Sequence, residues 1–246
     1  MLDTLFLLET DSAHWLTELS APFPDACRQA NWLDMETNYG CSVDLNGHQA
    51  RHVVPIGSIE FVNAFLRQRD MKPLMAMNIP SELEQPAFLR RCIFRNVLKT
   101  DIPALEAEYG PLLIKPAEAP KRFEMTRSDN LSNIPDDEPL FVSQEIREPI
   151  IAEWRIFLFR GRLISIKPYV LDKWVCPNQT IIQKMCAALQ QYPALALDVG
   201  VLSGGNTVVI ECHPFISCGL YGFDGPDMIK MTKAAWIGEL NRQART

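Results

Sequence analysis

The segment from Ala194 to Phe215 constrains this chain more than any other. It reads as two strands joined by a Ser203-Gly204-Gly205-Asn206 turn. Asp198 sits on the first strand, and Glu211 and His213 on the return strand. Residues two apart on a strand share a face, so Glu211 and His213 point the same way, and the hairpin can bring Asp198 beside them. Two carboxylates and a third ligand-type side chain on one sheet face suit a hard divalent cation. Mg2+ is commonly held by one or two carboxylates together with nucleotide phosphates. Taken alone the hairpin is ambiguous, because acids on a sheet face are often only solvated. Cys212, between Glu211 and His213, is expected on the opposite face as a small buried side chain.

Length and composition narrow the classes. A chain of 246 residues can build one large or two small domains with a real core. The formal net charge of −6 argues against bulk attraction to nucleic acid, leaving only a local basic groove to provide it. No apolar run reaches the length of a membrane span, and the acid-bearing first segment lacks the basic start of a signal peptide. Seven cysteines without a CxxC pair fit free thiols in a reducing cytoplasm.

The expected class is α/β (α+β). Residues 3–8 and 52–56 read as strands, and 59–68 as a helix capped by Ser58. A further helix is expected near 81–91. The first unit, an N-terminal α/β domain, takes residues 1–92, and a second takes 93–246. In the second, 102–109 is a short helix, 111–115 a strand, and 126–139 a polar connector. Strands follow at 140–146, 152–159 and 162–170, the last two joined at Arg160-Gly161. A helix over 178–191, the acidic hairpin and a helix over 227–242 complete the chain. Trp154 and Trp174 read as core or groove-lining residues, His14 as a packing residue, and His48 and His52 as surface or loop histidines.

Polar residues fall at telling places on these strands. Lys115 ends one strand and Lys121 lies in the loop after it. Gln144, Glu145 and Ile146 close another. Glu153 and Arg155 share a face, with Lys167 on the partner strand. Nucleotide chemistry uses these types: cations for phosphates, an acid for ribose hydroxyls, and acids for Mg2+.

The ordered segments LLIKP (112–116), FVSQEI (141–146), EWRIFLFRGRLISI (153–166) and the LDVGV and VVIECHPF stretches within 197–215 resemble the ATP-grasp superfamily of ATP-dependent carboxylate–amine ligases. Gly-Ser-Ile-Glu-Phe at 57–61 and Gly-Leu-Tyr-Gly-Phe at 219–223 resemble a short clade found in bacteria and their phages. The likeness spans about residues 52–240.

The resemblance implies a two-lobed ATP-grasp domain with ATP between the lobes and a hinge near 144–147. Lys115 would contact the α/β-phosphates and Lys121 would act from the loop covering them. The backbone of Glu145 and Ile146, beside Gln144, would bind adenine. Glu153 would take the ribose hydroxyls, with Lys167 nearby. Arg155 would face the phosphates or an acyl phosphate. Asp198, Glu211 and His213 would hold Mg2+, with Mn2+ as an alternative. The implied partners are a small-molecule or peptide carboxylate and an amine, with no membrane and no nucleic acid.

Two departures stand out. His213 takes a position where the family usually has Asn, and imidazole suits Mg2+ poorly. No glycine-rich loop follows Lys115; the next residues after Pro116 are Ala117-Glu118-Ala119-Pro120. Both departures favour the rival reading, a non-catalytic nucleotide-binding interaction module.

Overall fold

The computed structural model describes residues 4–30, 35–39, 52–171 and 174–245, with backbone alone at 35–39 and 171. Cys41, His48 and the start of the first expected strand lie outside the described residues. The architecture is mixed α and β, with three sheets among the described residues.

The first sheet is parallel, in the order β2-β1-β3: β1 (Thr4–Thr10), β2 (Met35–Tyr39) and β3 (His52–Ile56). Strands of a parallel sheet are covered on both faces and carry continuous apolar runs. Leu5 to Leu8 and Val53, Val54 and Ile56 are buried accordingly. Helix α1 spans Phe23–Gln29 and α2 spans Ile59–Arg67. The Ser58 hydroxyl caps α2 by accepting from the Phe61 N–H at 3.1 Å, as its sequence suggests. Glu9, at the end of β1, accepts from the Ser58 N–H and hydroxyl at 2.7 and 2.8 Å. Its charge lies where the helix dipole favours an anion. A Cβ on Gly57 would lie 2.5 Å from the Glu9 Cβ, so this approach requires glycine.

The expected helix near 81–91 is broken. A 3-10 turn covers Ser81–Leu83 and a single turn, α3, covers Pro86–Leu89. Pro86 forces Gln85 out of the helical region, to φ −102°, ψ 138°. No packing break falls at residue 92: Ile79, Leu83, Phe88 and Leu89 join the core beneath the third sheet.

The second sheet is antiparallel, in the order β4-β7-β5-β6: β4 (Ile93–Val97), β5 (Leu112–Pro116), β6 (Thr126–Arg127) and β7 (Leu140–Gln144). Helix α4 (Ile102–Tyr109) supplies Ile102 to its small core with Leu112, Ile114, Leu140 and Val142. The third sheet is also antiparallel, in the order β11-β10-β8-β9: β8 (Ile150–Phe159), β9 (Arg162–Leu171), β10 (Ala194–Leu202) and β11 (Thr207–Pro214). Arg160 and Gly161, at φ 50° and 72°, make the tight turn between β8 and β9. Helix α5 (Gln179–Ala188), capped by Asn178, covers one face of this sheet through Ile182 and Met185. Trp154 is buried in that core, as expected, whereas Trp174 is 83% exposed and lines none of it. His14 is also exposed, on a left-handed turn beside an exposed Trp15.

The other face of the third sheet meets the N-terminal unit. Phe157, Ala194, Ala196 and Phe215 share one core with β1, β3, α2 and the last helix, α6 (Pro226–Gln243). Trp236 of α6 is 1% exposed and packs edge-on to Phe65 of α2, with ring centroids 5.6 Å apart. A shared core predicts shared unfolding. Trp236→Ala should cost about 3–5 kcal/mol and lower the melting of the N-terminal unit and the third sheet together. Two transitions, only one of them shifted, would show that the cores are separate; denaturant melts followed by circular dichroism distinguish these outcomes.

Candidate functional site

The site begins with a row of charges across the third sheet. Glu211 pairs with Asp198, Asp198 with Arg155, and Arg155 with Lys167. Cross-strand partners point to the same face, so the register alone places all four side chains on one side. A bulge makes this possible. Strict alternation would put Val209 and Glu211 on one face. The ladder shifts by one residue at Ile210, so Val209 pairs with Val199 and is buried, while Glu211 stays beside Asp198. Arg91 holds the bulge by donating to the carbonyls of Val209 at 2.6 Å and Ile210 at 3.0 Å. Burial pulls its guanidinium down to about 10. On β9 the ladder skips Tyr169, which shares the face of Lys167 by strand alternation and stands beside Glu153 and Arg155.

Arg155 and Asp198 form the buried centre, at 5% and 0% exposure. The guanidinium donates through Nε to Oδ1 at 2.7 Å and through Nη2 to Oδ2 at 2.5 Å. Its Nη1 donates to the Gly219 carbonyl at 3.0 Å. Burial would pull the Arg155 guanidinium down, yet Asp198 raises it above its ordinary value, so the pair is ionised. The stacked rings of Tyr169 and Tyr221, with centroids 4.8 Å apart, stand beside it. The guanidinium carbon lies 5.7 and 4.9 Å from the two ring centres, within cation–π range. Burial raises the Tyr169 phenol, and so do the charge of Asp198 and a hydrogen bond to Glu153. Tyr169 is thus a neutral donor that holds Glu153.

Glu211 and His213 share a face as predicted, with His213 Nε2 2.9 Å from Glu211 Oε1 and 3.6 Å from Asp198 Oδ2. Burial would lower the His213 imidazole, but Asp198 and Glu211 raise it above its ordinary value. For Glu211, burial pushes upward and is outweighed by His213 and then Lys115, so the carboxyl is held well below the usual range. Lys115 comes from β5 in the second sheet, across the cleft, and its ammonium donates to Glu211 Oε2. Cys212 is buried on the opposite face, as expected, and burial pushes its thiol up.

One ligand-type atom from each of Asp198, Glu211 and His213 lies within 4.8 Å of the others. Asp198 and Glu211 fit a hard divalent cation: each carboxylate has about four lone-pair positions, more than its present partners use. His213 offers a lone pair only after losing the proton it shares with the carboxylates.

The remaining expected residues lie around this centre. Lys167 stands opposite Arg155 on the same face, and Glu153 on β8. Gln144 ends β7, its side chain donating to the Tyr109 carbonyl at 2.7 Å. The Glu145 N–H donates to the Pro111 carbonyl at 2.9 Å, and its carboxylate takes both ends of Arg127 at 3.0 and 3.1 Å. Ile146 follows in the segment joining the second sheet to the third. Lys121, in the β5–β6 loop, reaches Glu60 of α2 at 3.7 Å instead of the acidic cluster. Sequence reasoning missed Arg91, Tyr169 and Tyr221. Tyr221, in the Gly-Leu-Tyr-Gly-Phe stretch, carried a family signal, and Tyr169 stands two residues from Lys167 on the same strand face; Arg91 acts through a bulge that periodicity cannot show.

The His213 shift bears on stability. Its folded value is raised, so its contribution is fully present below its unfolded value of 6.5 and is lost as pH rises through the folded value. Glu211 works oppositely: its contribution is present above the unfolded value of 4.5 and is lost as pH falls through the folded one. The His213 side chain is 34% exposed, which tempers the effect. Without nucleotide, the melting temperature should fall above pH ~6.5, and His213→Gln should flatten that limb. Parallel curves for the two proteins would remove the charge assigned to His213.

Comparison with known proteins places this geometry. Residues 88–231 match a family model described as an ATP-grasp domain, the second family of its clade. No curated protein sequence matches the chain. Among solved structures, D-cycloserine synthetase DcsG aligns with a TM-score of 0.58 at 14% identity, covering 96% of this chain and 99% of that one. A RimK domain ATP-grasp protein from Sphaerobacter thermophilus aligns at 0.56 and 13% identity, covering 96% and 98%. D-alanine–D-alanine ligase from Bacillus anthracis complexed with ATP aligns at 0.53 and 12%, covering 98% and 99%. At these identities the likeness is one of fold, and it runs the length of both chains. The family match covers more than half of the sequence, including the β5 lysine and the acidic hairpin, and the chain belongs to this clade of the ATP-grasp domain proteins.

Proposed function

We propose that the protein is an ATP- and Mg2+-dependent carboxylate–amine ligase acting through an acyl phosphate. The observation that carries this reading is the meeting of Lys115, from one sheet, with Asp198, Glu211 and His213, from another. Phosphoryl transfer asks little covalent chemistry of a protein and depends on positioning and charge. A cleft with a cation on one wall and two carboxylates on the other supplies both.

Lys115 would neutralise the α/β-phosphates, with Lys121 added once its loop swings from Glu60. Glu145 and Ile146, steadied by Gln144, would offer backbone groups to adenine. Glu153, oriented by Tyr169, would accept from the ribose hydroxyls, and Lys167 would add positive charge on the same face. Asp198 and Glu211 would hold Mg2+, which when bound supplies charge neutralisation at the phosphates. Arg155 would hold Asp198 in place and keep two further N–H groups for an acyl phosphate. A substrate carboxylate oxygen would bond to the γ-phosphorus as ADP leaves. The amine nitrogen would then bond to the acyl carbon, phosphate would leave, and the amine would lose its proton. The partners are a small-molecule or peptide carboxylate and an amine, and the setting is cytoplasmic. Among the described residues no helix is long and apolar enough to cross a membrane.

Turnover tests the reading. ADP should appear only when ATP, Mg2+, a carboxylate and an amine are all present. Glu211→Gln should reduce ADP formation by about a hundredfold or more while leaving melting within a few degrees. ATP binding without ADP from a broad set of amino-acid and peptide acceptors would favour the nucleotide-binding module.

Lys115 provides a second test. Its ammonium now neutralises Glu211, so nucleotide phosphates and Glu211 compete for it. Lys115→Ala should weaken ATP more than AMP, since AMP lacks most of the charge Lys115 would meet. The same substitution should tighten Mn2+ in the absence of nucleotide, because Glu211 loses its resident cation. Calorimetry with ATP, AMP and Mn2+ alone reads all three. Equal weakening of both nucleotides with unchanged Mn2+ affinity would place Lys115 outside the site.

A further inference from the structure

A second concavity lies away from the acidic hairpin, between the β8–β9 turn and the exposed side of α6. Its volume is about 740 Å³, within the range of ligand pockets. Among the described residues, five cations line it and no acid does: Arg160, Lys230, Lys233, Arg242 and Arg245. In a chain of formal charge −6, this concentration of positive side chains is a local reversal of sign. Lys230 has Asp227 and Arg242 has Glu239 as acid neighbours, while among the described residues Arg160 and Arg245 have no ion pair, so the wall keeps positive charge. The floor is apolar, built by Phe159, Pro193 and Ile237. It is shaped by a close approach: a Cβ on Gly238 would lie 2.7 Å from the Pro193 ring. The two-residue turn holds Arg160 over the Phe159 ring at 5.3 Å, so one cation is fixed at the rim.

We propose that this groove binds an acidic peptide segment, extended along α6, with one apolar side chain on the floor and carboxylates on both sides. The dimensions agree. From Lys230 to its end at Gln243 the helix rises about 20 Å, and about six extended residues span the same length. The spacing puts Lys230, Ala234, Ile237 and Asn241 on one stripe of α6, with Arg245 just beyond its end, opposite the buried Met228, Met231, Ala235 and Trp236. The chemistry favours carboxylates over a nucleic acid. Single strands bind through open aromatic platforms, and among the described residues the one ring lining the groove, Phe159, is covered by Arg160. The chain's negative charge also repels a long polyanion beyond the groove.

The site is independent of nucleotide, so it is tested on the full chain without ATP. The probe is a fluorescein-labelled heptapeptide with a central leucine flanked by alternating Glu and Asp. Its controls are the same peptide with Gln and Asn for the acids, and a labelled heptathymidylate. Fluorescence anisotropy should show the acidic peptide binding at least about tenfold tighter than the amide version at low salt, the gap narrowing as salt rises. The double change Arg160→Glu with Arg245→Glu should remove that preference, and Ile237→Asn should weaken binding several-fold at unchanged salt dependence. Melting and ATP affinity should stay as in the parent, since none of these residues lines the cleft. Equal affinity for the acidic and amide peptides, indifference to the charge reversals, or tighter binding of the oligonucleotide would each overturn the proposal.

Discussion

Arg155 and Asp198 face each other beneath the cleft with almost no access to water. Ionised groups removed from water must find partners close to what water gave them. Here both carboxylate oxygens are met by the guanidinium, and a third donor goes to the Gly219 carbonyl. Such a pair adds little net stability, but losing one member strands a buried charge at a cost of about 3–5 kcal/mol. Its effect is to specify. The strand register, the ring pair Tyr169–Tyr221 and the Gly219 loop must all be in place for the pair to close. The carboxylate that would face a metal is therefore set by the fold before any ligand arrives.

The charges of the cleft answer one another. Asp198 has Arg155, Glu211 has Lys115, and His213 sits between the two acids. The two pairs differ in kind. Arg155 is planar, buried and bidentate, suited to permanent fixing. Lys115 is a single flexible ammonium, about a quarter exposed, and it comes from the opposing sheet. It can exchange one anion for another at small structural cost. Arg155 is thus the more fixed of the two cations, a distinction that strand-end position alone does not make.

How much of this was legible in the sequence follows from which interactions are local. The hairpin turn, the i, i+2 relation of Glu211 and His213, the Ser58 cap and the Arg160-Gly161 turn depend on neighbours in the chain, and the structure has them. The Asp198–Glu211 pairing does not follow from the hairpin alone, because an unbroken ladder would set Asp198 opposite Ile210. What could not be read was register between distant strands. The expectation that Arg155 faces phosphates came from family resemblance; that it pairs with Asp198 depends on β8 lying beside β10 in one register out of several. Bulges are harder still, since a single extra residue inverts the face of everything beyond it. The break at Pro86 was legible, and the apolar run through Leu89 masked it.

The N-terminal unit shows the same limit at a larger scale. Its parallel sheet is recognisable from apolar runs, and a boundary near residue 92 follows from the change of pattern there. The apolar face of that sheet is nonetheless completed from farther along the chain, by α6, by Phe157 of the third sheet and by Phe215 just after β11. Trp236 closes against Phe65 across a sequence separation that no local pattern records. This joint core also holds β11 firmly where Pro214 and Phe215 leave the sheet. His213 and Glu211 stand just before that point. The first unit therefore bears on the acidic hairpin through packing, and Glu60 of α2 also reaches Lys121 in the loop after β5.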